Sequence, residues 1–304
     1  MDINVVMPFD DVEHSDEFIT AEAVAVIAKH VESLGYSGVN VTDHPIPTAR
    51  WRDSGGHDAQ DPFVMLGLIA AHTQRIRLQT GILVVPYRNP FVTARAAATL
   101  DVFSGGRVTL GLGAGYLKGE YFALGVDFEQ RNELMDDYIK AMKLAWTGET
   151  FDYEGIGFSA RGNRLRPAPV QKNGIPLLVG GNSRRAIRRA VELGDAWYPF
   201  FTPKLSTSTV RSASFEGEDD LVAGVAYMRE YSDQIGRETP PEIVLTSMAS
   251  GNVGSTPQEL LDVISRYREL GVVGTAVGWA VSARSQWCDQ AQWFAEEVLH
   301  KIAP

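Results

Sequence analysis

The chain has a single cysteine, Cys288, which excludes an intrachain disulfide and any cysteine-built metal cluster. Its six histidines are dispersed, and neither an H-E-x-x-H pattern nor a Ser-His-Asp hydrolase elbow occurs, so metal-assisted and serine-based hydrolysis are disfavoured. Apolar runs are short: none reaches the roughly 18 uninterrupted residues that a membrane span needs, so no membrane association is expected. Positive charge is scarce as well. The 28 Lys and Arg are outnumbered by 38 Asp and Glu, and the net charge of -10 repels nucleic acid and acidic membrane surfaces. An anionic ligand must therefore be met by a local cluster of donors. Near the start, Asp2, Asp10, Asp11, Glu13, Asp16 and Glu17 stand where a secretory signal would carry a basic segment and an apolar run. A cytoplasmic protein is the expectation.

What is present is a repeating grammar. An apolar fraction of 44% and a charged fraction of 22% suit a globular protein with a large core. An apolar strand (Ile3 to Met7) is followed by helical spacing from Ser15 to Leu34. Strands then follow at Gly38 to Thr42, Ile76 to Leu83 and Arg107 to Gly111, each with a helix behind it: Pro62 to Thr73, Pro90 to Phe103 and Phe128 to Trp146. Four more strands, Pro176 to Val179, Ala196 to Pro199, Glu242 to Met248 and Gly274 to Gly278, alternate with helices at Ser183 to Leu193, Leu221 to Gln234, Thr256 to Leu270 and Arg284 to His300. Thr256, Pro257 and Glu259 spell a capped helix start with a proline in the first turn. Eight strands alternating with eight helices predict an α/β fold in one domain over residues 1–304, and favour a (β/α)8 TIM barrel of parallel strands over an open doubly wound sheet, which the pattern alone also allows. Two insertions interrupt it: 149–172 after the fourth helix, with a hairpin around Phe151 to Phe158, and 203–220 after the sixth strand.

In such a barrel the active site lies at the carboxyl ends of the strands. The second strand ends in Thr42, Asp43, His44 and Pro45, an acid beside an imidazole where a proton donor or acceptor is useful. An acid that caps a turn next to an ordinary loop histidine would read the same way. The third strand carries Thr80, Gly81 and Ile82, where a glycine marks a bulge, a kink or a close ligand. The fourth runs into Gly111, Gly113, Ala114, Gly115 and Tyr116, with Glu120 shortly after. Its glycines let backbone approach a flat ring or a phosphate, but the spacing and mid-chain position argue against a dinucleotide-binding Rossmann turn. The fifth ends in Gly180, Gly181, Asn182 and Ser183 and opens a helix, whose free amides and dipole favour a phosphate. Arg184 and Arg185 add positive charge there, while Arg188 and Arg189 read as a solvated face. Trp197, Tyr198, Pro199, Phe200, Phe201 and Trp279 supply aromatic walls or core.

Together with Leu34-Gly35-Tyr36, Arg75-Ile76-Arg77-Leu78, Arg88-Asn89-Pro90, Ser104-Gly105-Gly106-Arg107, Trp146-Thr147-Gly148 and Leu193-Gly194-Asp195, these motifs resemble the luciferase-like monooxygenase superfamily, and within it the oxidoreductases that depend on coenzyme F420. The likeness in motif spans residues 1 to about 200. It implies a homodimeric hydride-transfer enzyme acting on a small organic substrate, in keeping with the cytoplasmic location and the lack of nucleic-acid, membrane and metal partners expected from composition. Asp43 would contact the deazaflavin ring and His44 would face the reacting centre as the catalytic pair. Thr80 and a cis Gly81–Ile82 peptide would support the ring. Gly113, Ala114, Gly115, Tyr116 and Glu120 would approach the cofactor, and Gly180, Gly181, Asn182 and Ser183 would hold its phosphate and tail. Some deazaflavin dehydrogenases carry a carboxylate where this chain has Tyr116, which puts sugar-phosphate dehydrogenase activity in doubt. Two other readings share these residues: an FMN-dependent monooxygenase using reduced flavin and oxygen, and a barrel that binds a flavin without turnover.

Overall fold

Eight parallel strands close into a barrel in a computed structural model that describes residues 1–204, 212–248 and 256–302. They are β1 (Asp2–Val6), β2 (Gly38–Val41), β3 (Arg77–Val84), β4 (Val108–Gly113), β7 (Leu177–Gly180), β8 (Ala196–Tyr198), β9 (Glu242–Val244) and β10 (Val272–Val277). β5 (Phe151–Gly155) and β6 (Phe158–Asn163) form a separate antiparallel hairpin in the first insertion, as the spacing predicts. Neighbours follow chain order and β1 pairs with β10, Asn4 lying opposite Ala276. The helices behind the strands are α2 (Ala21–Ser33), α4 (Pro62–His72), α5 (Pro90–Ser104), α7 (Arg131–Trp146), α8 (Arg184–Leu193), α9 (Glu218–Gln234), α10 (Pro257–Glu269) and α11 (Arg284–Glu297). The predicted alternation is therefore observed. No helix among the described residues is long and apolar enough to cross a membrane.

Strand periodicity sorts the residues into two layers. Ile3, Val5, Val39 and Leu78 are fully buried in the main apolar core shared with the helices. The alternate positions Asn4, Asn40 and Gln79 carry amides. Asn4 Nδ2 donates to Asn40 Oδ1 (3.0 Å) and to Gln79 Oε1 (3.1 Å), while Gln79 Nε2 and Asn40 Nδ2 donate to the Tyr198 hydroxyl (3.1 and 3.3 Å). Satisfying each amide with another avoids the cost of an unpaired buried polar group. The same network fixes Tyr198, which burial deprives of any tendency to ionise.

Element boundaries differ from the sequence reading where local side chains intervene. The first predicted helix is two: α1 (Ser15–Phe18) stops, Thr20 adopts an extended conformation, and its side chain accepts from the Ala23 amide to start α2. The last predicted helix ends at Glu297 and continues as a short 3-10 turn at Leu299–Lys301. α3 (Ala49–Asp53) and α6 (Lys118–Ala123) have too few residues to show an apolar period and are missed by it. β4 runs on to Gly113, so the glycine run begins inside the strand. Its packing requires this: a Cβ at Gly111 would lie 2.2 Å from the Thr80 carbonyl oxygen, and one at Gly113 would lie 2.0 Å from Ile82 Cδ1. The predicted capping box of α10 is formed by Thr256 and Glu259. Part of the 203–220 insertion, residues 205–211, lies outside the described residues; the rest includes a bridge between Thr202 and Phe215.

Candidate active site

A cavity of about 470 Å³ opens at the carboxyl ends of the strands. Of the residues singled out in the sequence, Asp43, His44, Gly81, Ile82, Gly113, Ala114, Gly115, Tyr116, Gly180, Gly181 and Ser183 line it. Thr80, Glu120 and Asn182 do not. Thr80 is buried in the sheet and donates to the Gly111 carbonyl (2.8 Å). Asn182 ties its own loop to the next, donating to Phe200 O (2.8 Å) and accepting from Phe200 N (3.0 Å). Glu120, on α6, stands behind His44.

The Glu120 carboxylate is fully buried and accepts from three groups: His44 Nδ1 (3.1 Å), the Tyr87 hydroxyl (2.8 Å) and the Ile46 amide (3.2 Å). With Nδ1–H donating to a carboxylate, the imidazole keeps its Nε2 lone pair for the cavity. Burial, reinforced by the neighbouring Glu120 charge, raises the Tyr87 hydroxyl well above its ordinary value, so Tyr87 keeps its proton and donates it to Glu120. Asp43 is occupied too. It accepts from Arg88 through both oxygens (2.7 and 2.8 Å) and from the Val84 amide (2.9 Å). Burial disfavours the Arg88 charge, but Asp43 and Asp61 together outweigh it and raise the guanidinium's proton affinity. Asp43 is thus a brace between the ends of β2 and β3. The Gly81–Ile82 peptide beside it is cis.

Over His44 lies a set of rings, two of them from the loop that follows the second strand. Trp51 sits 4.8 Å from the imidazole centroid, His57 4.9 Å and Tyr116 6.1 Å. Burial raises the Tyr116 hydroxyl, with Glu120 adding to the effect. Of the other aromatics after the sixth and eighth strands, Tyr198 and Phe200 reach the cavity. Trp197 packs on Phe215, Phe201 on Phe215 and Tyr267, and Trp279 on Trp287 and Phe294.

The opposite end of the cavity is cationic. Arg131, Arg185 and Arg189 line it together with the first turn of α8. Arg185 pairs with Glu133 (2.9 Å) and Asp136 (3.3 Å), Arg189 also pairs with Asp136, and the Arg131 guanidinium lies 4.0 Å over the Phe128 ring. The expected arginine set is corrected here. Arg184 stacks on Tyr227 and Arg188 donates to its hydroxyl, whereas Arg189 is buried and faces the cavity. One turn of α8 separates Arg185 from Arg189 and puts both on one face. Arg131 and Asn132 come from the start of α7, in a different helix from Arg185 and Arg189, and no local signal marked them.

The sequence profile of the luciferase-like monooxygenases matches residues 1–268. The chain belongs to that family. Among the family's members an uncharacterized protein of Mycobacterium tuberculosis is 30% identical over 302 residues, 95% of this chain and 96% of that one. An F420-dependent glucose-6-phosphate dehydrogenase of Nocardia farcinica is 29% identical over 234 residues, 73% of this chain and 66% of that one. The solved structure of a monooxygenase from Streptomyces bottropensis superposes with a TM-score of 0.78 at 18% identity, covering 100% of both chains, and shows the shared fold. Luciferase-like enzymes are oxidoreductases, and the cavity suits a flat cofactor with an anionic tail. A Cβ at Gly115, whose φ is +69°, would lie 2.6 Å from Val84 Cγ1, and one at Gly181, φ +124°, would lie 2.9 Å from the Ala186 side chain. Side chains at either position would be strained and would crowd the wall; their absence leaves a smooth cradle between the imidazole and the arginines.

Proposed function

We propose that the protein is a coenzyme F420-dependent oxidoreductase that moves a hydride between the deazaflavin and a small organic substrate. The observation that carries this reading is one cavity with a carboxylate-oriented imidazole at one end and, at the other, Arg185 and Arg189 of α8 beside Arg131 from the start of α7. When bound, the deazaflavin supplies a two-electron hydride carrier. His44 holds or releases the substrate proton at Nε2. Glu120 fixes the imidazole tautomer, and Tyr87 keeps that carboxylate in place. The Asp43–Arg88 pair braces the strand ends on which His44 and Ile82 sit. Arg131, Arg185, Arg189 and the α8 amides hold the anionic tail. Trp51, His57 and Tyr116 keep bulk water from the imidazole.

The test is a titration of the purified apoprotein with oxidised F420 and, separately, with FMN, followed by absorbance and fluorescence. The expected result is F420 binding at least about tenfold tighter than FMN. Tighter binding of FMN, with oxygen consumption in the presence of reduced flavin, would replace the hydride-transfer reading with that of a monooxygenase. Tight cofactor binding without turnover of any substrate would favour a storage role.

A further inference from the structure

Beside His44 lies a second cavity of about 190 Å³, below the roughly 300–1,000 Å³ typical of sites for drug-sized ligands. We propose that this cavity holds the substrate, and that the substrate is a small uncharged molecule, an apolar body carrying a hydroxyl or carbonyl group, with Asp10 turning anions away. The inference rests on the hydride-transfer reading for the reaction, but its geometry stands on its own.

Thr42, His57 and Gly81 border both cavities, so a molecule in the small one meets the large one next to the His44 imidazole. Its remaining wall is chiefly apolar: Val6, Met7, Phe9, Val41 and Met65. Two ionisable groups line it, Asp10 and His57, with Nδ1 of His57 3.5 Å from the Asp10 carboxylate. Neither a lysine nor an arginine does. Nearby Arg52 is held by Asp58 (2.8 Å) and by the Gly56 carbonyl (2.6 Å). An incoming phosphate or carboxylate would therefore meet a like charge, with neither a lysine nor an arginine in the lining to offset it. A hydroxyl or carbonyl meets neutral partners in Asn40, Thr42 and Gln60, beside His57. The partly buried setting of Asp10 raises its proton affinity through desolvation, against the opposing pull of His57, which fits a carboxylate facing an apolar space. The sugar phosphate used by the Nocardia relative would be rejected on the same grounds.

The experiment measures binding of cyclohexanol, cyclohexanecarboxylate and cyclohexylammonium by calorimetry, to the apoprotein and to protein loaded with cofactor. Cyclohexanol is expected to bind at least about tenfold more tightly than the carboxylate. Asp10→Asn should narrow that gap to about threefold or less by improving the carboxylate. Ala59→Trp and Gln60→Trp, on the loop that lines the small cavity, should each weaken cyclohexanol at least about tenfold while changing cofactor affinity less than about twofold. Equal binding of alcohol and carboxylate, an Asp10→Asn variant with unchanged preference, alcohol binding indifferent to both tryptophans, tighter binding of the ammonium ion, or no alcohol binding below about 10 mM would each overturn the proposal. Failure of F420 to bind, with these preferences intact, would strike the cofactor reading and leave the substrate cavity standing.

Discussion

The two ends of the large cavity are built on opposite principles. At the His44 end one buried carboxylate is saturated by three donors, and the imidazole has a single orientation. At the arginine end Arg185 pairs with Glu133 and shares Asp136 with Arg189, and Arg185 remains substantially exposed to solvent. Chemistry on a particular atom needs a group held within a few tenths of an ångström, which burial and complete hydrogen bonding provide. Holding an anionic tail needs charge and donors but tolerates variation in position, and partial exposure lets the tail enter. The contrast predicts that variants at one end change rate and variants at the other change affinity.

The largest effect is expected for His44→Ala: a fall in kcat of about 100- to 10,000-fold, with cofactor Kd altered less than about threefold, read from steady-state kinetics beside a fluorescence titration. Comparable losses in Kd and kcat would break the division of labour. Next comes Glu120→Gln, which keeps the shape but removes the charge that orients the imidazole. Its kcat should drop about 10- to 100-fold with cofactor Kd unchanged, whereas a purely structural role would lower thermal stability and leave the kcat of the folded fraction intact. Arg185→Ala should raise cofactor Kd about tenfold, with a weaker salt dependence than the wild type and a normal kcat at saturation. A salt-independent loss would sink the electrostatic account.

The smallest effect lies at the other face of the barrel, where conserving the fold rather than the chemistry is at stake. Glu32, at the end of α2, accepts from the amides of Gln74, Arg75 and Ile76 at 2.7–3.1 Å. Burial alone would raise its carboxyl, but those amides outweigh it and hold it below the ordinary value. A carboxyl depressed in the folded state contributes stability above its unfolded value and loses it as pH falls through the folded one. Glu32→Gln should therefore cost about 1 kcal/mol near neutral pH, a figure reduced for solvent screening. Denaturation curves of the two proteins should converge on acidification below about pH 4. A difference that persists in acid would show that the charge is not the cause.

Much of this was legible in the chain, unevenly. The alternation of strands and helices, the hairpin at Phe151 to Phe158 and the Thr256–Glu259 cap depend on neighbours a few residues apart and were read correctly. The break at Thr20 was overlooked because apolar spacing continues across it, although a threonine that can cap is visible there. Position after a strand was enough to bring His44, Gly113, Gly115, Gly181 and Ser183 to the cavity. It could not distinguish Asn182, whose amide serves its own loop, or show that Asp43 would be claimed by Arg88.

The sequence by itself determined the alternation of strands and helices, because period-2 and period-3.6 patterns are local, and it favoured the barrel because eight repeats of one unit have few ways to bury their apolar faces. It also determined that chemistry would gather at the ends of the strands. Only the tertiary structure decided who meets whom: that Glu120 stands behind His44 across 76 residues, that Arg189 and not Arg184 turns inward, and that Trp51 and His57 cover the imidazole. Those pairings depend on barrel closure and on the rotation of each helix about its axis, and no local pattern in the chain encodes either.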